Sequence, residues 1–283
     1  MKFKFFQFLV VFIFSVSIPA QDLDFKKGLI QKMINAIDKH NQLEFTMYRS
    51  ERNEKGYTDG EFYAKIQNVP FKLYIKNDKP RPGSEVLYIE GINDNRALIN
   101  PNSFPYFSIS LDPDNSILLA GGHHSVREAG FMLLSNMFKK YQNQYGDLLY
   151  EMTTYNGLHK WNERKCHKIT IEYNDYKTMN YAPKKGETLY TISRNQLLNI
   201  GKLREYNKDY DDDDILDEDD LITINNVYAK KAVLLIDTEN YFPIYQLIHD
   251  ENGLYEKYHY KNLKTDVNFE NEEFSRDFSE YNF

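Results

Sequence analysis

The sequence predicts an α+β protein in which helices pack on the concave side of a curved antiparallel sheet, a half-barrel. Short alternations of apolar and polar residues, separated by turn residues, recur along most of the chain, as in strands with one buried face. The 23 tyrosines and 19 phenylalanines, against one tryptophan, favour strands over helices. The clearest hairpin spans residues 241–263, where residues 250–253 supply a turn that ends in glycine.

The first twenty residues differ in composition from the rest of the chain. Lys2 and Lys4 precede an apolar run over residues 5–16, and Ala20 is a small residue at a cleavage position. The apolar run is short for a membrane span, which needs about 20 residues. We therefore expect a cleaved signal peptide over residues 1–20, a periplasmic protein and no stable membrane span.

The elements expected after the signal peptide are a helix, a series of strands, a second helix and further strands. Apolar residues at helical spacing predict the first helix over residues 23–40, lying against the concave side of the sheet. The second helix is predicted over residues 125–144, and the tail 270–283 is expected to pack along a sheet edge. The predicted strands are 43–52, 60–69, 71–76, 86–90, 96–100, 148–155, 166–173, 231–237 and the two runs of the 241–263 hairpin.

This arrangement resembles the lipoprotein-carrier fold of LolA and LolB, a half-open barrel whose concave side holds acyl chains under helical cover. The resemblance rests on the leading helix at 29–40, the hairpins 61–76 and 85–100, and residues 255–260. It implies a non-catalytic binding protein whose concave sheet face takes up a lipid or lipoprotein acyl chain. The alternative is a cell-wall-associated structural or interaction protein with a filled core and no lipid cargo.

One segment, residues 179–228, interrupts the strand pattern and predicts an inserted module. Thr188 can cap a helix there, and residues 181–193 resemble the opening of a LysM domain. Residues 203–207 match the end of the second LysM helix, which gives the order strand–helix–helix–strand. The sheet domain is then expected to comprise residues 21–178 and 229–283.

The resemblance to LysM implies that the insert binds N-acetylglucosamine glycans such as peptidoglycan in a shallow groove. Backbone groups would recognise the acetamido group, and apolar side chains would contact its methyl. The alternative is a LysM-shaped insert kept for packing or partner contact, without affinity for sugars. Carried over by position, the groove residues are Gly186, Glu187, Thr188, Leu189, Asp213, Asp214, Ile215 and Leu216.

The charge distribution gives no support for nucleic-acid binding. Removal of Lys2 and Lys4 leaves 33 basic residues, and nine of the 42 acidic residues lie in the single run 209–220. The rest of the mature chain is therefore neutral, whereas nucleic-acid binding requires a basic stripe.

No cofactor, metal site or catalytic motif is predicted. The acidic run has the spacing of a calcium loop, but Asp214 replaces the usual glycine, and a solvated charged loop is the favoured interpretation. His123 and His124 are adjacent, which is poor spacing for a metal. Cys166 is the only cysteine, so it cannot form an internal disulfide, and we expect a buried, inert thiol.

Overall fold

The computed structural model describes residues 20–115, 118 and 122–283, so the predicted signal peptide, apart from Ala20, lies outside the described residues. The helices are α1 (Ala20–Lys39), α2 (Met132–Tyr145), α3 (Leu148–Glu151), α4 (Leu189–Gln196) and α5 (Ile200–Tyr206). The strands are β1 (Gln42–Asn53), β2 (Gly56–Gln67), β3 (Lys72–Lys79), β4 (Glu85–Ile89), β5 (Ala97–Asn100), β6 (Ile109–Leu111), β7 (Thr153–Trp161), β8 (Arg164–Glu172), β9 (Thr178–Tyr181), β10 (Ile222–Asn225), β11 (Lys231–Asp237), β12 (Pro243–Asp250) and β13 (Gly253–Lys264). Within these residues, no helix is both long enough and apolar enough to cross a membrane.

Eleven of the strands form one antiparallel sheet in the order β6-β5-β4-β3-β2-β1-β13-β12-β11-β8-β7. Its two halves join along the β1–β13 pair, where Glu44 lies opposite Lys264 and Glu51 lies opposite Glu256. Register shifts in several strand pairs, including β1–β13 and β12–β13, mark irregularities of the kind that bend strands and increase twist. The predicted α+β class with a large antiparallel sheet is confirmed.

The main core lies between α1, α2 and one face of this sheet, which we call the concave face. From α1, the buried side chains are those of the predicted apolar stripe, Leu29, Ile30, Met33, Ile34 and Ile37. Phe25 belongs to the same predicted stripe but is largely exposed, and its ring contacts Tyr155. The first helix therefore packs against the sheet through its apolar stripe, as predicted.

Aromatic rings fill the centre of the core. Phe131, at the start of α2, contacts Phe45 and Phe242 in edge-to-face geometry at centroid distances of 6.0 and 5.0 Å. It also lies 4.3 Å from the ring of Tyr260. Such ring pairs stabilise a core beyond their area burial. Cys166 is buried in the same core, as predicted, and burial raises the pKa of its thiol to about 11.

Two predicted elements begin later than expected. The predicted strand 148–155 starts as the short helix α3, because this turn places Leu149 and Tyr150 in the core before β7 begins. The predicted helix 125–144 begins with a separate 3-10 turn at Val126–Glu128. Gly130 then takes a positive φ of 94°, so α2 starts only at Met132.

The C-terminal tail packs on the outer face of the sheet, so the expectation that it follows an edge is wrong. The ring of Tyr281 stacks on Tyr74 of β3 at 3.6 Å. Phe274 is buried with Tyr74 and Leu87, whose side chains point away from the concave face. The alternation along β3 and β4 creates this second apolar patch, and the aromatic tail covers it.

The insert has its own core. β9 and β10 form a separate two-stranded sheet, and α4 and α5 lie between them in the chain, which is the predicted order strand–helix–helix–strand. Thr188 accepts a hydrogen bond from the backbone of Thr191 and caps α4 as predicted. The LysM identity of this segment and its domain boundaries stay predictions. The core residues are Leu189, Tyr190, Ile192, Leu198, Ile200, Leu203, Leu216, Ile222 and Ile224.

The packing of Phe45 gives a stability prediction. We expect Phe45→Ala to lower the free energy of unfolding by about 3–5 kcal/mol, because the buried ring leaves a cavity among Phe131 and Tyr260. The measurement is urea unfolding followed by circular dichroism. Ile92→Ala, at an exposed turn position, is the control and should change stability by less than about 0.5 kcal/mol. Equal losses in the two variants would contradict this account of the core.

Candidate functional site

The concave face changes from apolar to polar along its two central strands. In β1, Phe45 and Met47 are followed on the same face by Arg49 and Glu51, since side chains two residues apart share a face. In β13, Tyr260 and Tyr258 give way to Glu256. The register places Met47 opposite Tyr260, Arg49 opposite Tyr258 and Glu51 opposite Glu256. The change from apolar to polar side chains therefore occurs at the same height in both strands, between the Met47–Tyr260 pair and the Glu51–Glu256 pair.

A partly open cavity of about 170 Å³ lies where the apolar and polar parts of the concave face meet. It is enclosed between this face on one side and α2 with the preceding residues 124–130 on the other. Its volume is close to the cavity of about 150 Å³ that stays dry and binds benzene in another protein. The apolar lining includes Met47, Phe62, Ile75, Leu133, Leu134 and Met137. The polar lining is Arg49, Glu51, Asn77, His124, Ser125, Glu128, Gln246 and Glu256. The cavity is therefore amphipathic.

Glu256 is the centre of the polar end. Its side chain is fully buried and accepts hydrogen bonds from His123 Nδ1 at 2.8 Å, from the Tyr228 hydroxyl at 2.9 Å and from Asn199 Nδ2. Burial alone would raise the pKa of Glu256. Hydrogen bonds and charge from His123 and His124 outweigh burial and hold that pKa well below its usual range, so the carboxylate is ionised.

The two histidines occupy different positions around this carboxylate. The His123 ring lies between Glu256 and the backbone carbonyl of Arg52, 3.0 Å from Nε2, so both ring nitrogens face acceptors. His124 places Nδ1 3.2 Å from Glu128 and Nε2 2.9 Å from the Tyr228 hydroxyl. Burial would lower the pKa of His124, but hydrogen bonds with Glu128 and Glu256 raise it to about 10.

Glu51 is a second buried carboxylate on the same face. It accepts hydrogen bonds from the Tyr258 hydroxyl at 2.8 Å and from Arg49 Nη1 at 3.1 Å. The Arg49 side chain lies over Gly60 of β2, where a Cβ atom would come within 2.7 Å of Arg49 Nε. A larger residue at position 60 would therefore displace the cation that lines the cavity.

The insert is fixed to the polar end through buried contacts. Lys202 of α5 is almost fully buried, and its Nζ donates to Asp250 at 3.0 Å and to Glu205 at 2.7 Å. These hydrogen bonds outweigh burial and raise the pKa of Lys202. Gly201 packs so closely on His123 and Tyr255 that a Cβ atom would lie 2.7 Å from each. With Asn199 bound to Glu256, the insert helps to build the site.

This arrangement offers a ligand in the cavity hydrogen-bonding and charged groups whose positions are fixed. Hydrogen bonds from neighbouring side chains hold the carboxylates of Glu51 and Glu256 in place at the cavity wall. Arg49 and His124 are the cations that line the cavity, beside the carboxylates of Glu51, Glu128 and Glu256. In the described part of the chain, no three His, Cys, Asp or Glu side chains converge as a metal site requires.

The structure brings together the two segments of the predicted glycan groove. The backbone N–H of Leu216 donates to the Glu187 carbonyl at 2.8 Å, and the N–H of Gly186 donates to the Leu216 carbonyl at 3.4 Å. Leu189 and Leu216 are fully buried in the core of the insert, so their side chains cannot contact a sugar.

Among the remaining residues of the predicted groove, one caps a helix and three are exposed to solvent. Thr188 serves as the helix cap, and Asp213 and Asp214 are exposed. Ile215 is 78% exposed, so it is the apolar side chain available at this position. Glycan binding by these residues stays a prediction.

Sequence reasoning missed the buried polar cluster around Glu256. The signal was present, because Glu256 falls on the same face as Tyr258 and Tyr260 in the alternation of β13. A charged residue on an apolar face is a warning that a partner lies nearby. The adjacent pair His123-His124 has poor spacing for a metal, and nothing in its local sequence identifies Glu256 as its partner.

The comparisons with known proteins give a family and several distant structural similarities. A model of the family described as "Protein of unknown function (DUF1571)" matches residues 40–214, more than half of the chain. No curated protein has a matching sequence.

Three solved structures are similar over most of both chains. Lipoprotein LppX from Mycobacterium tuberculosis has 9% identity and a TM-score of 0.41, covering 87% of this chain and 99% of its own. LprF from Mycobacterium bovis has 10% identity and a TM-score of 0.41, with 88% and 97% covered. A LolA superfamily protein from Nitrosomonas europaea has 8% identity and a TM-score of 0.31, with 89% and 98% covered.

The raised pKa of His124 gives a prediction of pH dependence. A histidine whose folded-state pKa is raised from about 6.5 to about 10 stabilises the fold fully below pH 6.5, and this contribution is lost as the pH rises toward 10. Glutamine does not titrate, so His124→Gln should lack this pH-dependent loss of stability. We expect the wild type to exceed the variant in free energy of unfolding most below pH 6.5, and the difference to decrease as the pH rises toward 10. Urea unfolding at a series of pH values measures the gap. His159→Gln, at an exposed position, is the control, and parallel curves for wild type and His124→Gln would contradict the prediction.

Proposed function

The chain belongs to the DUF1571 family of proteins of unknown function, and on this premise we propose that it is an exported, non-catalytic binding protein of the periplasm. Its cargo is an acyl chain of a lipid or lipoprotein, held on the concave face of the sheet. The observation that carries the proposal is the amphipathic cavity between this face and α2. Apolar side chains form one part of its wall, and charged side chains with buried partners form the other.

The size of the cavity sets what it can hold. Its volume of about 170 Å³ matches a segment of roughly six carbons, the size of benzene in a comparable cavity. Burial of about 0.8 kcal/mol per methylene then gives about 5 kcal/mol, which corresponds to weak, sub-millimolar binding. A longer acyl chain can bind more tightly only if its additional carbons extend out through the open side of the cavity or displace Leu133 and Leu134 of α2.

The polar end fixes the orientation of such a ligand. A headgroup placed there meets Arg49 and Gln246 as donors and the carboxylates of Glu51 and Glu128 as acceptors. Because both kinds of partner are available, an uncharged or zwitterionic head avoids leaving a buried charge without a counterpart. The acyl chain then extends along Met47 and Phe62 toward the apolar core.

The insert adds a second proposed contact, association with cell-wall glycan. The support is the resemblance to LysM, the predicted order of its elements and the exposure of Ile215 beside the paired backbones of Glu187 and Leu216. An exposed apolar side chain next to backbone polar groups is suited to the acetamido group of N-acetylglucosamine. This contact would keep the carrier domain close to the wall.

Occupancy of the cavity is testable by native mass spectrometry of protein isolated from the periplasm of the producing cell. We expect a bound acyl-chain mass on the wild type and its loss in Leu134→Trp, because the larger ring fills the cavity. For a delipidated sample, the affinity for a fluorescent fatty-acid probe should fall at least about tenfold, or 1.4 kcal/mol. Leu148→Trp, at an exposed position of α3 outside the cavity, is the matched control. A wild type without bound mass and without probe affinity would support the structural protein without cargo instead.

Glycan association is testable by co-sedimentation with purified peptidoglycan. We expect Ile215→Ser to reduce retention roughly fivefold, the effect of losing about 1 kcal/mol of apolar contact, while the fold is kept because Ile215 is exposed. Leu221→Ser changes another exposed apolar residue of the same insert, outside the groove, and is the control. Equal retention of the two variants and the wild type would exclude this groove.

A further inference from the structure

A short loop between β5 and β6 carries the most exposed aromatic residues described in the chain. Phe104, Tyr106 and Phe107 are 84%, 81% and 63% exposed. A single exposed apolar residue needs no explanation, but three large rings within four consecutive residues form a continuous apolar tip. The tail and core cover the other aromatic clusters, whereas no described residue covers this one.

The fold holds this tip in a defined conformation. The N–H of Tyr106 donates to the Ser103 carbonyl at 2.7 Å, and the rings of Phe104 and Tyr106 meet edge to face at 6.4 Å. Asn102 donates to the carbonyl of Pro82 at 3.0 Å, which ties the loop to the β3–β4 turn. A Cβ atom on Gly83 would lie 2.5 Å from Asn102 Nδ2, so the contact depends on a glycine there.

The β3–β4 turn, to which Asn102 ties this loop, carries positive charge. Lys79 and Arg81 are both exposed in this turn, against one acidic residue, Asp78. Lys79 lies 3.8 Å from Glu61, but this ion pair is on the surface and leaves most of the ammonium in water. Phenylalanine and tyrosine with nearby basic residues are the combination found at the interface of a membrane with water.

We infer that this tip, Phe104 to Phe107 with Lys79 and Arg81, docks on the surface of a phospholipid bilayer. The rings enter the boundary between headgroups and acyl chains, about 5–10 Å deep, while the two cations meet anionic headgroups. A bilayer is favoured over a protein partner because three largely exposed rings and two exposed basic side chains lie on adjoining segments, the combination that suits an anionic lipid surface.

The position of the tip determines which side of the protein would face the bilayer. The cavity reaches Asn77 and Val86, the residues that flank the β3–β4 turn in the two strands. Docking through this turn and the neighbouring loop therefore places the lipid surface on the side of the molecule where the cavity meets β3 and β4. The inference does not depend on cargo, since a protein with an empty cavity would dock in the same way.

Vesicle co-sedimentation tests the inference with the full mature chain. The probes are vesicles of phosphatidylethanolamine with phosphatidylglycerol and vesicles of phosphatidylcholine alone. We expect the double variant Phe104→Ser, Phe107→Ser to lower the partition coefficient on the first vesicles at least about tenfold. Lys79→Gln with Arg81→Gln should cause a smaller decrease that appears only on the anionic vesicles and disappears at high salt. Val69→Ser with Ile92→Ser, two exposed residues at the opposite strand ends, is the matched control.

A spectroscopic readout locates the contact. Trp161 is the only tryptophan, so Trp161→Phe provides a background in which Phe104→Trp is the sole indole. Its emission should shift to the blue on vesicles and be quenched by brominated acyl chains, whereas Ile92→Trp in the same background should not respond.

Three results would overturn the inference. They are a wild type that stays in the supernatant with both vesicles, equal partition of the aromatic and control variants, and an indole at position 104 that remains in water. Bound acyl mass on the aromatic variant is measured in parallel. It should equal that of wild type, so a failure of vesicle docking and a failure of cargo binding are told apart.

Discussion

A carboxylate stays ionised inside a protein only when other groups replace the water it has lost, and Glu256 meets this condition with partners from separate segments. His123 and His124 precede the 3-10 turn that covers the cavity, Tyr228 is the last residue of the insert, and Asn199 lies between α4 and α5. Breaking such a buried ion pair is far more costly than never having formed it. The sheet, the cavity cover and the insert are therefore held in one arrangement around a single charge.

The same charge divides the concave face into two regions. Toward Phe45 the face is apolar and closely packed, and toward Glu51 it is polar and braced by hydrogen bonds. The cavity lies where these regions meet, so its shape depends on the apolar packing and its polarity on the cluster. Gly60 contributes by its small size, because Arg49 lies where a side chain at that position would be.

Local patterns in the sequence predict the strands, the leading helix and the capped helix at Thr188, because these depend on neighbours within a few residues. Contacts between residues distant in the sequence cannot be predicted from such local patterns. Leu148 begins a helical turn rather than a strand because its neighbours are drawn into a core that the local pattern does not show. Glu256 could have been noticed from its face, but its histidine partners lie over a hundred residues away. The exposure of Phe104 likewise depends on which rings the tail covers and which it leaves free.

The insert leaves and re-enters the sheet domain through paired strands, with Thr178 directly opposite Asn225. A few residues could join these two points without stretching the backbone, which suggests that the module could be excised cleanly. Its buried contacts argue against that. Excision would remove the Lys202 ammonium from Asp250 and the Asn199 amide from Glu256, leaving Asp250 with Arg52 and Glu256 with the two histidines as their charged partners. The connectivity of the module would permit its removal, but its buried hydrogen bonds stabilise the sheet, so we expect a shortened chain to be less stable than the full one.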